Sequence, residues 1–204
     1  MNPTAPTPPF SICVYCGSRP GHDAAYADLA RQVGRWIGRN GGQLVYGGGK
    51  NGLMGQVADA ALQAGARVIG VIPQTLVERE HAHPGCTELH IVQTMHQRKH
   101  LMAERASAFL ALPGGIGTFE EFFETWTWRQ LGYHAKPIGL LNHAGFYDPL
   151  LTFLRHAGQA GFMDDSLLSL IDVDTQPAPL LQRLSRPARS PCGKQVIHSL
   201  LEKT

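Results

Sequence analysis

Short apolar runs alternate along the chain with longer segments in which apolar side chains recur every three or four residues. The short runs predict buried strands at residues 12–15, 43–46, 67–72, 89–92, 109–112 and 138–141, and a last strand near Leu170. The longer segments predict helices, because positions three and four apart share one helical face. This alternation is typical of a parallel sheet with helices on both faces, so we expect a Rossmann-like, doubly wound α/β fold in a single domain.

Three of the predicted strands run directly into glycine-rich turns that open helices, at residues 17–18, 47–52 and 114–118. In a parallel sheet these turns lie along the same carboxyl edge, where ligands bind. Glycine lets the backbone approach a ligand closely, and the free amides at a helix start carry partial positive charge that favours phosphate. One such turn alone is more often a tight connection, but three on one edge favour an anion site.

The second turn formally matches the Gly-x-Gly-x-x-Gly fingerprint of dinucleotide-binding proteins. The acidic residue that would bind the ribose, about 20 positions further on, is replaced by Ile72 and Pro73. None of the turns continues with the Gly-Lys-Ser/Thr sequence of P-loop ATPases. A mononucleotide is therefore favoured over a dinucleotide or a triphosphate.

Arg98 shares a predicted helical face with the apolar positions 95, 102 and 106. A guanidinium on such a face needs a carboxylate or phosphate partner, and both a structural ion pair and a substrate contact remain open. His96 and His100 are spaced as in a zinc-binding helix, but the expected Glu is Gln97 and two cations lie between them. We expect no metal there, and we expect the loop residues at positions 81 and 83 to be solvated histidines.

Thr118 and Glu121 have the spacing of a capping box, in which Glu121 would simply bond to the amide of Thr118. A catalytic interpretation stands beside this structural one. A carboxylate one turn into a helix that holds a phosphate lies where the attached ribose would extend. Cleavage of an N-glycosidic bond builds positive charge on the sugar, and a fixed carboxylate can stabilise that charge and orient or deprotonate water.

Composition narrows the class of protein. The 204 residues suit one domain, and the formal net charge of +2 comes without the basic stripe that nucleic-acid binding needs. The apolar runs are shorter than the roughly 20 residues that cross a bilayer, and the first residues lack the pattern of a secretion signal. We expect neither nucleic-acid nor membrane partners and a cytoplasmic location. Cys13 and Cys16, three apart at a strand end, are expected to face opposite sides of the sheet as ordinary thiols.

The motifs together strongly resemble the LOG family of cytokinin riboside 5'-monophosphate phosphoribohydrolases. The likeness covers residues 10 to 184 and is carried by Cys16-Gly-Ser18, Tyr46-Gly-Gly-Gly-x-x-Gly-Leu-Met-Gly55, Met95-His-Gln-Arg-Lys99 and Pro113-Gly-Gly-Ile-Gly-Thr-Phe-Glu-Glu121. The resemblance implies Arg98 and Glu121 as the catalytic pair, no metal or other cofactor, and a homodimer or larger assembly. It implies that substrate is bound by Gly17, Ser18, Gly48, Glu80, Lys99, Gly114, Gly115, Ile116, Gly117, Thr118 and Glu120.

The domain organisation predicted from this likeness is a disordered extension at residues 1–9, a catalytic domain at 10–184 and a flexible tail at 185–204. Two other functions stay open: a general purine nucleoside-monophosphate nucleosidase, and a protein that binds nucleotides or molybdenum cofactor without catalysis. Related proteins are often labelled lysine decarboxylases, but neither Lys50 nor Lys136 lies in a motif that would hold pyridoxal phosphate as a Schiff base.

Overall fold

The computed structural model describes residues 8–78 and 81–186. Within these residues seven parallel strands form one sheet, in the order β4-β3-β2-β1-β5-β6-β7. The strands are β1 (Ser11–Tyr15), β2 (Gln43–Tyr46), β3 (Arg67–Pro73), β4 (Glu88–Val92), β5 (Ala108–Ala111), β6 (Ile138–Leu141) and β7 (Ile171–Asp174). This order confirms the predicted doubly wound, Rossmann-like sheet.

Helices cover both faces of the sheet, as predicted. They are α1 (Ala24–Arg39), α2 (Gly52–Gln63), α3 (Met95–Arg105), α4 (Ile116–Gln130), α5 (Asp148–Gln159) and α6 (Pro177–Leu184). The buried side chains of α1, α2 and α6 belong to one apolar core, and those of α3, α4 and α5 belong to the other. Among the described residues, no helix is both long and apolar enough to cross a membrane.

The strands contribute alternate side chains to the two cores, as the period of two in a strand requires. In β1, Ile12 and Val14 lie in the first core, whereas Cys13 and Tyr15 lie in the second. Cys16 returns to the first core, so the prediction that the two cysteines face opposite sides is confirmed. Both thiols are buried and free, and burial raises the pKa of each well above its ordinary value. They are therefore neutral packing groups.

The order of the strands reverses between β1 and β5. From β1 the chain moves outward through β2 and β3 to β4, and then crosses back to add β5 on the other side of β1. The turns that follow these two strands are joined by a hydrogen bond from the Gly17 amide to the Pro113 carbonyl, 3.2 Å long. A reversal of this kind opens a crevice at the carboxyl edge of a parallel sheet.

The start of α4 differs from the prediction. The helix begins at Ile116 with Gly115 as its N-cap, so Thr118 lies inside the first turn. The predicted capping box of Thr118 and Glu121 is therefore wrong. A capping box does occur at α3, where Thr94 accepts from the Gln97 amide and the Gln97 side chain bonds back to the Thr94 amide.

Candidate active site

A cavity of about 520 Å³ lies at the carboxyl edge of the sheet, at the crevice between β1 and β5. The turn after β1 forms one wall and the turn after β5, with the first two turns of α4, forms another. Its lining residues are Cys16, Gly17, Ser18, Arg19, Pro20, Gly21, Tyr26, Leu53, Met54, Arg98, Pro113, Gly114, Gly115, Ile116, Gly117, Thr118, Glu121 and Phe146. The structure thus brings together the first and third glycine-rich turns with both members of the expected catalytic pair.

Arg98 and Glu121 form a buried ion pair in the wall of this cavity. Nη1 of Arg98 lies 3.2 Å from Oε1 of Glu121, and the two side chains are only 8% and 9% exposed. The guanidinium also donates from Nε to the Val71 carbonyl at 3.1 Å and from Nη2 to the Gly47 carbonyl at 3.4 Å. Arg98 is therefore fixed by a carboxylate, by a carbonyl of β3 and by a carbonyl of the turn after β2.

The ion pair also explains how the charged carboxylate of Glu121 can be buried in this position. A buried carboxylate is costly unless a cation and hydrogen bonds compensate for its lost hydration, and Arg98 supplies the cation. The charge of Glu121 also changes the pKa of neighbouring thiols. Burial is the main cause of the raised pKa of Cys13 and Cys16, and the negative charge of Glu121 raises both further.

A second set of contacts braces the helices that carry this pair. Nζ of Lys99 forms ion pairs with Glu120 and with Oε1 of Glu124, the latter at 3.0 Å. Burial alone would lower the pKa of Lys99, but its bonds to the two carboxylates outweigh this and raise it. Lys99 and Glu120 do not line the cavity. They tie α3 to α4 immediately beside Arg98 and Glu121.

The hydroxyl of Tyr15, at the end of β1, shares a 2.9 Å hydrogen bond with Oγ1 of Thr125. Thr125 lies one turn after Glu121 on α4, so this bond holds the helix against the sheet at the level of the carboxylate. Burial, the largest cause, raises the pKa of Tyr15 well above its ordinary value. The hydroxyl therefore stays protonated and able to donate.

The glycines of the turn after β5 fall into two groups. A Cβ on Gly114 would meet the Thr118 side chain at 2.2 Å and the Gly17 amide at 2.9 Å, so the fold itself excludes a side chain there. A Cβ on Gly115 or Gly117 would meet no atom within 4 Å, and neither residue has a positive φ. The fold does not require glycine at these two positions, which border the cavity.

The second glycine-rich turn, at residues 47–52, has different surroundings from the other two. Gly48 has a φ of +77° and does not line the cavity. Its carbonyl accepts from the His83 amide at 2.9 Å, so the loop after β3 covers the turn. His83 is 3% exposed and bonds to Asp59 at 2.9 Å, and the prediction that it is solvated is wrong. Glu80 lies outside the described residues.

Two aromatic lining residues were not singled out from the sequence. Tyr26, from the first turn of α1, and Phe146, which follows β6, pack edge to face with ring centroids 5.8 Å apart. They give the cavity an apolar wall. In the sequence, one lies in an amphipathic helix and the other in a loop, so both resemble ordinary packing residues. They meet at one site because β1 and β6 are the two neighbours of β5 in the sheet.

The lysines considered for pyridoxal chemistry lie elsewhere. Lys50 is exposed and does not line the cavity, and Nζ of Lys136 donates to the Ala103 carbonyl at 2.7 Å. Lys136 precedes β6 and so lies at the amino edge of the sheet, opposite the cavity. Among the described residues, no group of three His, Cys, Asp or Glu side chains could hold a metal ion.

Solved structures with the same fold include the molybdenum cofactor (Moco) carrier protein from Chlamydomonas reinhardtii. That structure has a TM-score of 0.64 and 20% sequence identity, and the match covers 85% of this chain and 96% of the carrier. At this identity the likeness establishes the fold alone.

Sequence relatives are considerably closer. A family model described as "Possible lysine decarboxylase" matches residues 54–184. The cytokinin riboside 5'-monophosphate phosphoribohydrolase of Rhodococcoides fascians is 52% identical over 166 residues, which cover 81% of this chain and 84% of the relative. The Arabidopsis thaliana enzyme LOG2, with the same description, is 47% identical over 85% of this chain and 81% of its own length. The chain therefore belongs to the LOG family of cytokinin riboside 5'-monophosphate phosphoribohydrolases.

Proposed function

We propose that this protein hydrolyses the N-glycosidic bond of cytokinin riboside 5'-monophosphates, and of AMP, to the free base and ribose 5-phosphate. The observation that carries the proposal is the buried ion pair of Arg98 and Glu121 beside glycine-rich turns in one cavity. The relatives described as phosphoribohydrolases, at up to 52% identity, support the same activity.

The 5'-phosphate is proposed to bind at the start of α4. The amides of residues 114–118 lie at a helix N-terminus, where partial positive charge favours an anion, and the adjacent turn at Gly17 and Ser18 lines the same cavity. Gly115 and Gly117 leave open space there, which allows phosphate oxygens to approach the backbone. Arg98 is engaged with Glu121, so we assign the phosphate to backbone amides rather than to the guanidinium.

Glu121 lies one turn further along α4 and would face the anomeric carbon of the ribose. As the bond to the base breaks, positive charge develops on the sugar, and the carboxylate stabilises it. The same group can orient or deprotonate the attacking water, while the base leaves protonated or hydrogen-bonded. Arg98 keeps the carboxylate in place through their ion pair and adds a cation to the site.

Glu80, Lys99 and Glu120 belong to this proposal through the family motif, as groups near the ribose or base. The ion pair of Lys99 with Glu120 would have to open for either side chain to contact the substrate. Gly48 would contribute to substrate binding indirectly, by shaping the turn that lies beneath the loop after β3.

Activity on matched substrates tests the reaction. The protein is incubated with AMP, with isopentenyladenosine monophosphate and with the nucleoside isopentenyladenosine, and free base and ribose 5-phosphate are measured. We expect both monophosphates to react and the nucleoside to remain intact. Equal cleavage of the nucleoside would contradict a phosphate site at α4.

The variant Glu121→Gln separates hydrolysis from binding alone. The amide keeps the shape of the side chain but lacks the negative charge, so we expect turnover to fall by at least about 100-fold, as when one electrostatic group of an active site is removed. Binding of AMP, measured by calorimetry, should persist. Retained turnover would contradict the catalytic role, and binding without turnover in the wild-type protein would favour a carrier.

We also propose a cytoplasmic homodimer. The free thiols of Cys13, Cys16 and Cys86 in the described part of the chain suit a reducing compartment. Exposed apolar side chains such as Leu131, Tyr133 and Phe162 offer surface for a second copy. Sedimentation velocity tests the assembly, with a monomer at micromolar concentration as the contradicting result, and cell fractionation tests the compartment.

A further inference from the structure

Gly47 is the first residue after β2 and the first of three successive glycines. The next one, Gly48, has a φ of +77°, and Gly52 has a φ of +57°, so backbone conformation favours glycine at both. Gly47 is not among the glycines with positive φ. The turn itself therefore does not require glycine at position 47, and the missing side chain needs another cause.

The space that a side chain would occupy is filled by Arg98. A Cβ on Gly47 would lie 2.0 Å from Nη2 and 3.2 Å from Cζ of that guanidinium. It would also lie 3.2 Å from Sδ of Met54, but a flexible thioether can shift. Arg98 has less freedom, because it is 6% exposed and its three nitrogens are bonded to Val71, Gly47 and Glu121.

We propose that Gly47 is a positioning residue for Arg98, an inference that rests on the proposed function of the Arg98 and Glu121 pair. The absence of a side chain lets the guanidinium approach the turn closely enough to bond to the Gly47 carbonyl. From that position Nη1 reaches Glu121. A methyl group at position 47 would displace the guanidinium and leave the carboxylate without its fixed partner.

A double-mutant cycle with Gly47→Ala and Arg98→Lys tests the inference. Gly47→Ala alone should lower kcat on AMP by about 100-fold, the cost typical of misplacing a catalytic group by about 1 Å. It should also lower the thermal midpoint. In the Arg98→Lys background the same change should leave the thermal midpoint nearly unchanged, because lysine has no atom equivalent to Nη2 and the collision disappears. Strong non-additivity is the signature of positioning.

Gly34→Ala is the matched control. A Cβ on Gly34 would lie 2.3 Å from the Val57 carbonyl, between α1 and α2 on the opposite face of the sheet. This change should destabilise the protein by the same amount with Arg98 and with lysine, and kcat at temperatures below unfolding should not change. An overpacked glycine without a link to Arg98 behaves in this additive way.

Equal losses from Gly47→Ala in both backgrounds, or wild-type kcat and stability in the single variant, would overturn the inference. If the single variant does not fold, recovery of folding by Arg98→Lys supports the inference, and failure of the double variant alongside a folded Arg98→Lys protein overturns it. A wild-type protein that cleaves no monophosphate would refute the proposed function instead, while the stability cycle would still report on the packing of Gly47.

Discussion

The substitution Gly117→Ala tests whether glycine at this position is required for stability or for nucleotide binding. Gly117 is the second residue of α4 and has an ordinary φ, and a methyl group there would meet no protein atom within 4 Å. Alanine restricts the unfolded chain and is the better helix former, so we expect a gain of about 0.5 kcal/mol in the free energy of unfolding. For a domain of this size that gain raises the thermal midpoint by roughly 1–2 °C.

The same methyl group should weaken nucleotide binding. It would stand in the cavity at the helix start, where the phosphate oxygens are proposed to approach the backbone amides. Loss of one hydrogen bond to a charged group corresponds to about 1.5–3 kcal/mol. We therefore expect the Kd for AMP to rise roughly 10- to 100-fold. The binding of adenosine, which lacks the phosphate, should not change.

Calorimetric titration measures the Kd for AMP and for adenosine, and thermal unfolding measures the stability. Gly161→Ala serves as control, because that position is equally open but has a φ of +81° beyond the end of α5. Alanine there should cost about 1 kcal/mol of stability and leave the Kd for AMP unchanged. An unchanged Kd for AMP in Gly117→Ala would refute the placement of the phosphate at α4.

The ion pairs of Lys99 beside the site and the half-buried His134 give two further predictions. Lys99→Gln removes the ion pairs that join α3 to α4, and we expect kcat on AMP to fall severalfold with a smaller change in KM, which steady-state kinetics will show. Unchanged kcat would argue that α3 and α4 need no brace. Burial lowers the pKa of His134 below its ordinary value of 6.5, so the unfolded chain binds more protons and stability should decrease as the pH falls below about 6.5. His134→Gln should flatten the dependence of the thermal midpoint on pH between 7.5 and 5.5, and an unchanged slope would contradict this linkage.

The fold could be predicted from the sequence because its strands are buried on both faces. Such strands are continuous apolar runs, and they alternate with helices of clear periodicity. The observed strands β2 and β6 match the predicted residues, and β1 and β4 begin one residue earlier. The spacing of Thr118 and Glu121 imitates a capping box and would place the start of α4 at Thr118. The backbone of Gly115 serves as the N-cap instead, and residue patterns signal a glycine cap only weakly.

The site was harder to predict, because its composition depends on which strands are neighbours. The periodicity of a strand does not show that β5 lies beside β1, and this adjacency decides that the turns at residues 17–18 and 114–118 meet. The turn at Gly48 lies one strand further out, beneath the loop that contains His83. The partner of Arg98 could not be chosen from the sequence either, since a carboxylate and a phosphate satisfy a guanidinium equally well.

The charge of Glu121 gives the physical reason to favour hydrolysis over storage of an anionic ligand. A buried carboxylate close to the start of α4 opposes any phosphate bound there, so it weakens ground-state binding. A protein that only carries an anion gains nothing from this repulsion, and even with Arg98 alongside, the carboxylate must be kept out of water at a cost. The arrangement becomes favourable when the bound sugar acquires positive charge, because the attraction then exists only in the transition state. Interactions restricted to the transition state are those that raise kcat.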